Sequence, residues 1–304
     1  MIRRKLLQVS AVFMATLGAG LLANLLQAAT ADDIKVSELK PGVYLFQSAG
    51  SNVVAMTGKD GALVIDGGLP EHSEALYKAI QQATGSKRIN TLFNTHWHPE
   101  QLGLNQHASR DGATIIAHEQ TLMFLKHKVS SPLVKGSFGP VPEKERPSKT
   151  FKTEGSLEFD GHKIEYGYLP AAHTNGDLYV YFRDLNLLVA GGAVGSDSWP
   201  LVDFRNGAFI GGVVRAHEKL AALVQADTMV IPATGRPMSG ADIVTQREMY
   251  EKLFVDLNAL MNKGMGFNDI VATNPLKGFE SRYGDPSVFL DGIYRSMEMA
   301  YVPD

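Results

Sequence analysis

The apolar and polar positions of the first half of this chain form short runs that end at Gly, Asp or Asn. Such runs are typical of β-strands separated by turns. Longer stretches between them have helical spacing of their apolar residues. The predicted strands are 42–48, 52–56, 62–66, 90–95 and 113–118, and the predicted helices are 69–85, 102–112 and 119–129.

The second half again places strands before helices, without a fixed short repeat. It is preceded by residues 130–148, rich in Pro, Gly and charge, which favours a lid, a binding loop or a linker, with a plain exposed connection as an equal alternative. This order predicts mixed sheets packed between helices. The predicted strands are 156–161, 162–169, 177–184, 186–192 and 228–233, and the predicted helices are 213–226, 241–264 and most of the remainder.

Composition excludes several classes of function. The chain has 304 residues, 44% of them hydrophobic and 20% charged, which is ordinary for a globular protein. Its net charge of -3 argues against nucleic-acid binding, which usually requires a concentrated basic face. Because there is no Cys, disulfides and thiol nucleophiles are excluded, and any metal must be held by His, Asp, Glu or neutral oxygens.

The N-terminus has the pattern of an export signal. Arg3 and Arg4 precede an apolar stretch, and Ala29-Thr30-Ala31 is a cleavage site of the A-x-A type. The sequence therefore predicts a signal peptide over 1–31, resembling a twin-arginine signal, and a periplasmic or otherwise exported mature chain. An uncleaved membrane anchor is the alternative. No later segment is apolar for long enough to span a membrane, so no stable membrane insertion is expected after cleavage.

Four motifs fall at predicted strand ends, where functional sites tend to be assembled. They are VIDGG (64–68), THWHPEQ (95–101), PAAHTNGDLYVYF (170–182) and VIPATGRP (230–237). In this order they resemble the motifs of the metallo-β-lactamase fold superfamily, over about residues 40–260. The resemblance is greatest to exported zinc metallohydrolases of that superfamily.

The resemblance implies the fold class and the domains. The expected architecture is α/β (α+β), a four-layer αββα sandwich with a helical C-terminal extension. The corresponding boundaries are a metallo-β-lactamase-like domain at 32–264 and an extension at 265–304.

The residues that match the family's first metal site are complete. His96, His98 and His173 match its three histidine ligands. Asp66 matches a strand-end aspartate of the family that orders the metal-binding loop and is not itself a ligand. Three histidines with one open position are a recognised catalytic zinc arrangement. The resemblance therefore implies one zinc ion.

The residues that match the second metal site have all changed. Glu100 stands where the family has Asp and Gln101 where it has His, while Gly192 and Thr234 replace the bridging Asp and the final His. Gly has no ligand atom in its side chain, and the neutral oxygens of Gln and Thr bind zinc poorly. A second zinc is predicted to be lost.

These substitutions leave two functional hypotheses open. The first is a zinc-dependent hydrolase that attacks an ester, lactone or amide of a small molecule with a water whose pKa the zinc lowers to about 7. The second is a degenerate, non-catalytic member that binds a metal, a ligand or a partner protein. The oligomeric state cannot be predicted.

Three further residues have alternative interpretations. Glu100 is expected to act as the general base, although it could instead orient the water, become a fourth ligand, or be a solvated carboxylate in the first turn of a helix. Thr234 and Arg236 are turn residues that could contact the substrate, Arg236 if the substrate is anionic.

Overall fold

A computed structural model of the chain describes residues 34–133 and 136–301, so the predicted signal peptide lies outside the described residues. Within these ranges, no helix combines the length and the apolarity that a membrane span requires. The strands are β1 (Lys35–Lys40), β2 (Val43–Gln47), β3 (Val53–Met56), β4 (Ala62–Ile65), β5 (Ile89–Phe93), β6 (Thr114–His118), β7 (Val129–Ser130), β8 (Ser137–Phe138), β9 (Lys149–Phe151), β10 (Glu154–Phe159), β11 (His162–Leu169), β12 (Asp177–Phe182), β13 (Leu187–Gly191), β14 (Met229–Pro232) and β15 (Met238–Ser239). The α-helices are α1 (Ser73–Thr84), α2 (Asn105–Asp111), α3 (Glu119–Leu125), α4 (Ile210–Leu223), α5 (Gly240–Met261), α6 (Phe267–Ala272), α7 (Glu280–Tyr283) and α8 (Ser287–Tyr301).

The strands form two large mixed sheets and one small hairpin. The first sheet has the order β1-β2-β3-β4-β5-β6-β9, and the second has the order β10-β11-β12-β13-β14-β15. In the first sheet β4, β5, β6 and β9 are parallel neighbours, and in the second β13 and β14 are parallel. Parallel neighbours end at the same sheet edge, so the loops that follow them are brought together.

The two sheets pack face to face around a shared apolar core. Leu63 and Phe93 of the first sheet contact the same core as Leu178 and Val189 of the second. The other face of the first sheet is covered by α1 and α2, and the other face of the second by α4 and the start of α5. The predicted four-layer αββα sandwich is therefore confirmed.

Most elements lie where the apolar pattern predicts them, and the differences have physical reasons. Pro70–His72 form a 3-10 turn, so α1 begins at Ser73 rather than at residue 69. β1 was not predicted, because it is an edge strand with mostly exposed side chains and no apolar alternation. Residues 130–148 are not one loop, since they contain β8 and the end of the short hairpin that it forms with β7.

The helices after residue 264 share a core with the rest of the second half. Ile270 of α6 and Phe289 of α8 belong to the same buried cluster as Val213 of α4 and Tyr250 of α5. The cluster also includes Trp199, which lies in the segment between β13 and α4. The C-terminal helices are thus packed against this part of the sandwich.

Candidate metal centre

Loops at the ends of strands in both sheets form the site. His96 and His98 follow β5, and His173 lies in the loop between β11 and β12. The loop after β5 is joined to β12 through the backbone, because Leu178 N donates a hydrogen bond to Thr95 O at 2.9 Å. This junction between the sheets places the three histidines next to one another.

The three imidazoles are buried and close together. His96, His98 and His173 are 0%, 1% and 7% exposed, and one nitrogen from each lies within 4.8 Å of the others. Within the described ranges, this is the one group of three or more His, Asp or Glu side chains placed closely enough to share a metal ion.

The second nitrogen of His96 is held by a relay from the neighbouring strand. Asp66, directly after β4, accepts hydrogen bonds from Thr95 N at 2.7 Å and from Thr95 Oγ1 at 2.8 Å. Because His96 Nε2 is buried without an acceptor, the ring proton lies on Nδ1, which donates to Thr95 Oγ1 at 3.1 Å. The His96 ring is therefore fixed with a lone pair on Nε2.

His98 and His173 are fixed in the same manner by one segment of the chain. His98 Nε2–H donates to Asp203 Oδ2 at 3.1 Å, and His173 Nδ1–H donates to the Leu201 carbonyl oxygen at 2.6 Å. A carboxylate and a carbonyl oxygen only accept, so these contacts determine both tautomers. The lone pairs are left on His98 Nδ1 and His173 Nε2.

These three lone pairs face each other. His98 Nδ1 and His173 Nε2 lie 3.0 Å apart, and His96 Nε2 is buried without a hydrogen-bond partner. Three acceptors that meet in a buried space repel one another unless a cation lies between them. The donor set therefore fits a metal ion, and the hydrogen bonds to the outer nitrogens are those that metal-bound histidines usually make.

Burial keeps the imidazoles of His96 and His173 neutral. Desolvation, followed by the neighbouring histidines, lowers the pKa of His96 well below 6.5, and desolvation lowers the pKa of His173 from 6.5 to about 3. Neutral imidazole is the form that binds a metal.

Two buried aspartates fix the loops that carry the ligands. Asp177, at the start of β12, accepts from the backbone N–H groups of His173 and Thr174 at 2.7 and 2.8 Å. Asp66 does the same for the loop after β5. Burial raises the pKa of Asp66 to about 8 and that of Asp177 to about 7.

Glu100 lies beside the histidines. Its Oε1 is 3.7 Å from His98 Nδ1, and its side chain is 33% exposed. It belongs to a 3-10 turn, Pro99–Gln101, whose backbone is linked to the β2–β3 loop by a hydrogen bond from Ser51 Oγ to Glu100 O. The carboxylate is thus at the edge of the three-histidine group and reaches solvent.

The positions of the predicted lost second site are also close together. Gln101 and Thr234 line the same cavity as His96, and Gly192 lies against His173. Gln101 Oε1 is buried without a partner, and Thr234 is exposed. A Cβ on Gly192 would lie 2.4 Å from His173 Cδ2, so the present packing has no room for a side chain there.

Arg236 is not among the residues that line this cavity. Its backbone N and its Nε both donate to Asp197 at 3.0 Å, and the side chain is exposed. The proposed contact with an anionic substrate has no support from this arrangement.

His96 and His173 line a small cavity of about 120 Å³. His96, His173, Glu100 and Gln101 line one part of it, and the rest includes Trp199 with its neighbours Pro200 and Leu201. A second, more open cavity of about 350 Å³ shares Thr234 with it and is also lined by Lys35. We call them the inner and the outer cavity.

The sequence did not point to Asp203 or Leu201. Asp203 is fully buried, and Asn206 Nδ2 donates to both of its carboxylate oxygens at 2.9 Å. It lies in an irregular segment with no strand or helix pattern, and Leu201 contributes only a backbone carbonyl. The sequence does not show which side chain an Asp in such a segment binds.

Comparisons with known proteins agree with this geometry. The sequence model of the metallo-beta-lactamase superfamily matches residues 49–237. A comparison with curated protein sequences finds no match. Among solved structures, the metallo-beta-lactamase from Pontibacter korlensis is similar at 20% identity with a TM-score of 0.58, over 72% of this chain and 99% of that chain.

Two further structures have a similar fold. The DIM-1 metallo-beta-lactamase is 22% identical with a TM-score of 0.57, over 72% of this chain and 97% of that chain. The sec-alkylsulfatase Pisa1 from Pseudomonas sp. is 18% identical with a TM-score of 0.67, over 89% of this chain and 52% of that chain. The matched motifs, the sandwich and the three-histidine group show that the chain belongs to the metallo-beta-lactamase superfamily.

Proposed function

We propose that this chain is a hydrolase that uses one zinc ion held by His96, His98 and His173. The observation that carries the proposal is the three facing nitrogen lone pairs, each fixed by a hydrogen bond at the other side of its ring. Zinc in a three-histidine site supplies Lewis acidity and a lowered pKa of water. Esters, lactones and amides are the substrates whose carbonyl group this chemistry would attack.

Glu100 is the residue that we assign to proton transfer. Its carboxylate lies 3.7 Å from a ligand nitrogen and reaches solvent, so it can accept a proton from a water at the histidines and release it to bulk water. The inner cavity would orient the carbonyl, with the apolar side chain of Trp199 on one wall. We propose no second metal ion, because Gln101, Gly192 and Thr234 supply no strong ligand.

The second candidate is a non-catalytic member of the superfamily that binds a metal or a ligand. It is favoured by the loss of both histidines and of the bridging Asp at the second site, where only Glu100 retains a carboxylate. It differs from the first candidate in one measurable respect, because bound zinc would then support no turnover.

Metal content and turnover test these candidates in order. The protein is purified without chelators, and zinc is measured for wild type and for His96→Ala. The proposal expects one zinc per chain, lost in the variant. Zinc-loaded wild type is then compared with Glu100→Gln on ester, lactone and β-lactam substrates, and a drop of about 10²-fold or more in kcat is expected. Absence of metal from wild type would refute both the zinc site and the hydrolase.

We also propose that residues 1–31 direct export and are removed. The basic start, the apolar middle and Ala29-Thr30-Ala31 support it. Expression of the full chain in a bacterium, followed by fractionation and N-terminal sequencing, should give a periplasmic protein that begins near Asp32. Replacement of Arg3 and Arg4 by Lys should retain the precursor if the twin-arginine route is used.

A further inference from the structure

The side chain of Gln101 has a hydrogen-bond acceptor that the folded chain does not use. Gln101 lines the inner cavity beside His96 and His173 and is 1% exposed. Its Oε1 is buried without a hydrogen-bond partner. A buried polar atom without a partner costs free energy, whereas an apolar side chain of similar size would fill this place without that cost. Packing alone therefore does not account for an amide at this position.

The backbone of Gln101 is held on both sides. Its N–H donates to the His98 carbonyl oxygen at 3.0 Å, and its own carbonyl oxygen accepts from Asn94 Nδ2 at 3.2 Å. Gln101 is also the last residue of the 3-10 turn that follows His98. The amide thus starts from a fixed backbone and is restricted by burial. An acceptor that is ordered before a ligand arrives loses little entropy when the ligand binds.

The polar side chains around the inner cavity do not supply the missing donor. The nitrogens of His96 and His173 that face the site carry lone pairs, and the Glu100 carboxylate only accepts hydrogen bonds. Ser198 and Thr234 have hydroxyl groups, but both residues are exposed and neither is bonded to the amide oxygen. Among the described side chains of this wall, the one remaining donor is the indole N–H of a tryptophan.

That tryptophan, Trp199, is committed to the C-terminal helices. Its side chain is 6% exposed, and its Nε1–H donates to the Gly284 carbonyl oxygen at 3.0 Å. Its ring stacks on Phe289 at 5.1 Å between centroids and lies 4.7 Å from the ring of Tyr283. The indole cannot turn towards the amide without disturbing their core. A donor for the amide oxygen is therefore left to the molecule that enters the cavity.

We infer that Gln101 Oε1 accepts a hydrogen bond from the substrate, which carries a hydroxyl or an N–H on the atom next to its scissile carbonyl carbon. The inference rests on the proposed function and adds a specificity-determining residue to it. The cavity of about 120 Å³ is smaller than the roughly 300–1,000 Å³ of most ligand sites, so a carbonyl at the histidines and a donor at Gln101 are few bonds apart. 2-Hydroxy esters and secondary amides have this arrangement. Because the amide is neutral, a zinc ion at the histidines does not oppose the contact.

Two pairs of compounds that differ in this donor test the inference. Methyl 2-hydroxybutanoate is compared with methyl 2-fluorobutanoate, and the 4-nitroanilide of butanoic acid with its N-methyl derivative. Each kcat/KM of zinc-loaded wild type is divided by the rate constant of the same compound in alkali, which corrects for intrinsic reactivity. The donor should be preferred by about tenfold or more in at least one pair, because the acceptor otherwise stays unpaired.

The two pairs also locate the donor. A preference in the ester pair places it on the acyl group, and a preference in the anilide pair places it on the leaving nitrogen. No preference in either pair, or a preference for the compounds without the donor, would overturn the inference.

A matched pair of leucine variants shows whether Gln101 is the cause. Gln101→Leu removes the acceptor and should reduce the preference to about onefold to threefold while zinc stays bound. Gln106→Leu makes the same replacement at an exposed residue of α2 that lines neither cavity, and should leave the preference unchanged. Gln101→Met, with an unbranched side chain, repeats the test in a shape closer to Gln. A preference that persists in both Gln101 variants would contradict the assignment.

Failure of the proposed function can be recognised separately. If zinc-loaded wild type cleaves none of the four compounds faster than His96→Ala does, the hydrolase is refuted, and binding then decides the inference. Tryptophan fluorescence is suitable because Trp199 lines the cavity. It is titrated with N-methylbutanamide, with 2-hydroxy-N,N-dimethylbutanamide and with N,N-dimethylbutanamide, which has no donor.

At least one of the two donor-bearing amides should bind about tenfold more tightly than N,N-dimethylbutanamide. Gln101→Leu should abolish this difference, and Gln106→Leu should retain it. Equal binding of the three amides, or binding of none of them, would overturn the inference.

Discussion

The two halves of the metal centre differ in how their residues are supported. On the first side, each of His96, His98 and His173 has its outer nitrogen bonded to an acceptor. On the second side, Gln101 Oε1 has no partner, Gly192 has no side chain, and Thr234 is exposed. The supported side has the residue types of a zinc site, and the unsupported side does not.

This difference shows that a metal site depends on the residues that hold its ligands as well as on the ligands themselves. The supports of the first side come from two separate segments, one with Asp66 and the other with Leu201 and Asp203. None of these contacts involves Gln101, Gly192 or Thr234. The second site can therefore lose its ligands while the first remains ordered.

The largest expected effect comes from returning an aspartate to position 192. Because a Cβ there would lie 2.4 Å from His173 Cδ2, Gly192→Asp should displace the ring and weaken zinc binding by at least about 10²-fold. Zinc content after dialysis measures this. Gly266→Asp is a suitable control, since a Cβ there meets nothing closer than 3.9 Å. A variant with two zinc ions per chain would show that the second site was lost through this residue alone.

The next largest effect is expected at Asp203. Asp203→Ala removes the acceptor of His98 Nε2–H and should weaken zinc binding by about 10- to 100-fold. Asp203→Asn retains an acceptor oxygen and should lose less. Competition with a zinc chelator measures both, with Asp197→Asn of the same segment as the control. Equal affinity of Asp203→Ala and wild type would remove Asp203 from the network.

A smaller effect is expected from mild acid. A lowered histidine pKa means that the neutral, metal-binding form persists as the pH falls. The pKa of His173 is about 3 and that of His96 is well below 6.5, so protons do not compete at these two residues when the pH passes 6.5. Zinc affinity measured from pH 7.5 to 6.0 should therefore fall by less than about tenfold. A steep loss centred on pH 6.5 would show that these imidazoles titrate as if exposed.

The smallest effect is expected on the unsupported side. Gln101→Leu replaces a buried side chain whose Oε1 has no partner with an apolar side chain of similar size. Zinc affinity should change by less than about threefold, and the free energy of unfolding should be equal or higher by up to about 1 kcal/mol. Chelator competition and urea unfolding measure the two quantities. Loss of zinc in this variant would make Gln101 part of the first site.

The sequence predicted the sandwich and the histidine group because both have local signatures. Short apolar runs that end in turns located the strands of the core, and His96-x-His98 follows one of them directly. His173 was predicted to lie at the same site because it comes just before another predicted strand. The type of each residue and its place at a strand end, together with the order of motifs that resembles the metallo-β-lactamase superfamily, were enough.

The supports of the site could not be predicted, because they depend on tertiary contacts. The Leu201 carbonyl has no sequence signature, and Asp203 is 105 residues from the histidine that it binds. In the sequence Trp199 is an isolated aromatic residue, and its contacts with the C-terminal helices are visible only in the folded structure. The edge strand β1, with exposed Lys and Glu side chains, has no apolar alternation to reveal it.

The bond between Trp199 and Gly284 has a consequence for biosynthesis. One wall of the inner cavity is held by α7 and α8, which are synthesised after all three histidines, so this wall is completed only once both helices have left the ribosome. None of the hydrogen bonds that fix the three histidines involves these helices, so their docking completes the cavity and not the three-histidine group.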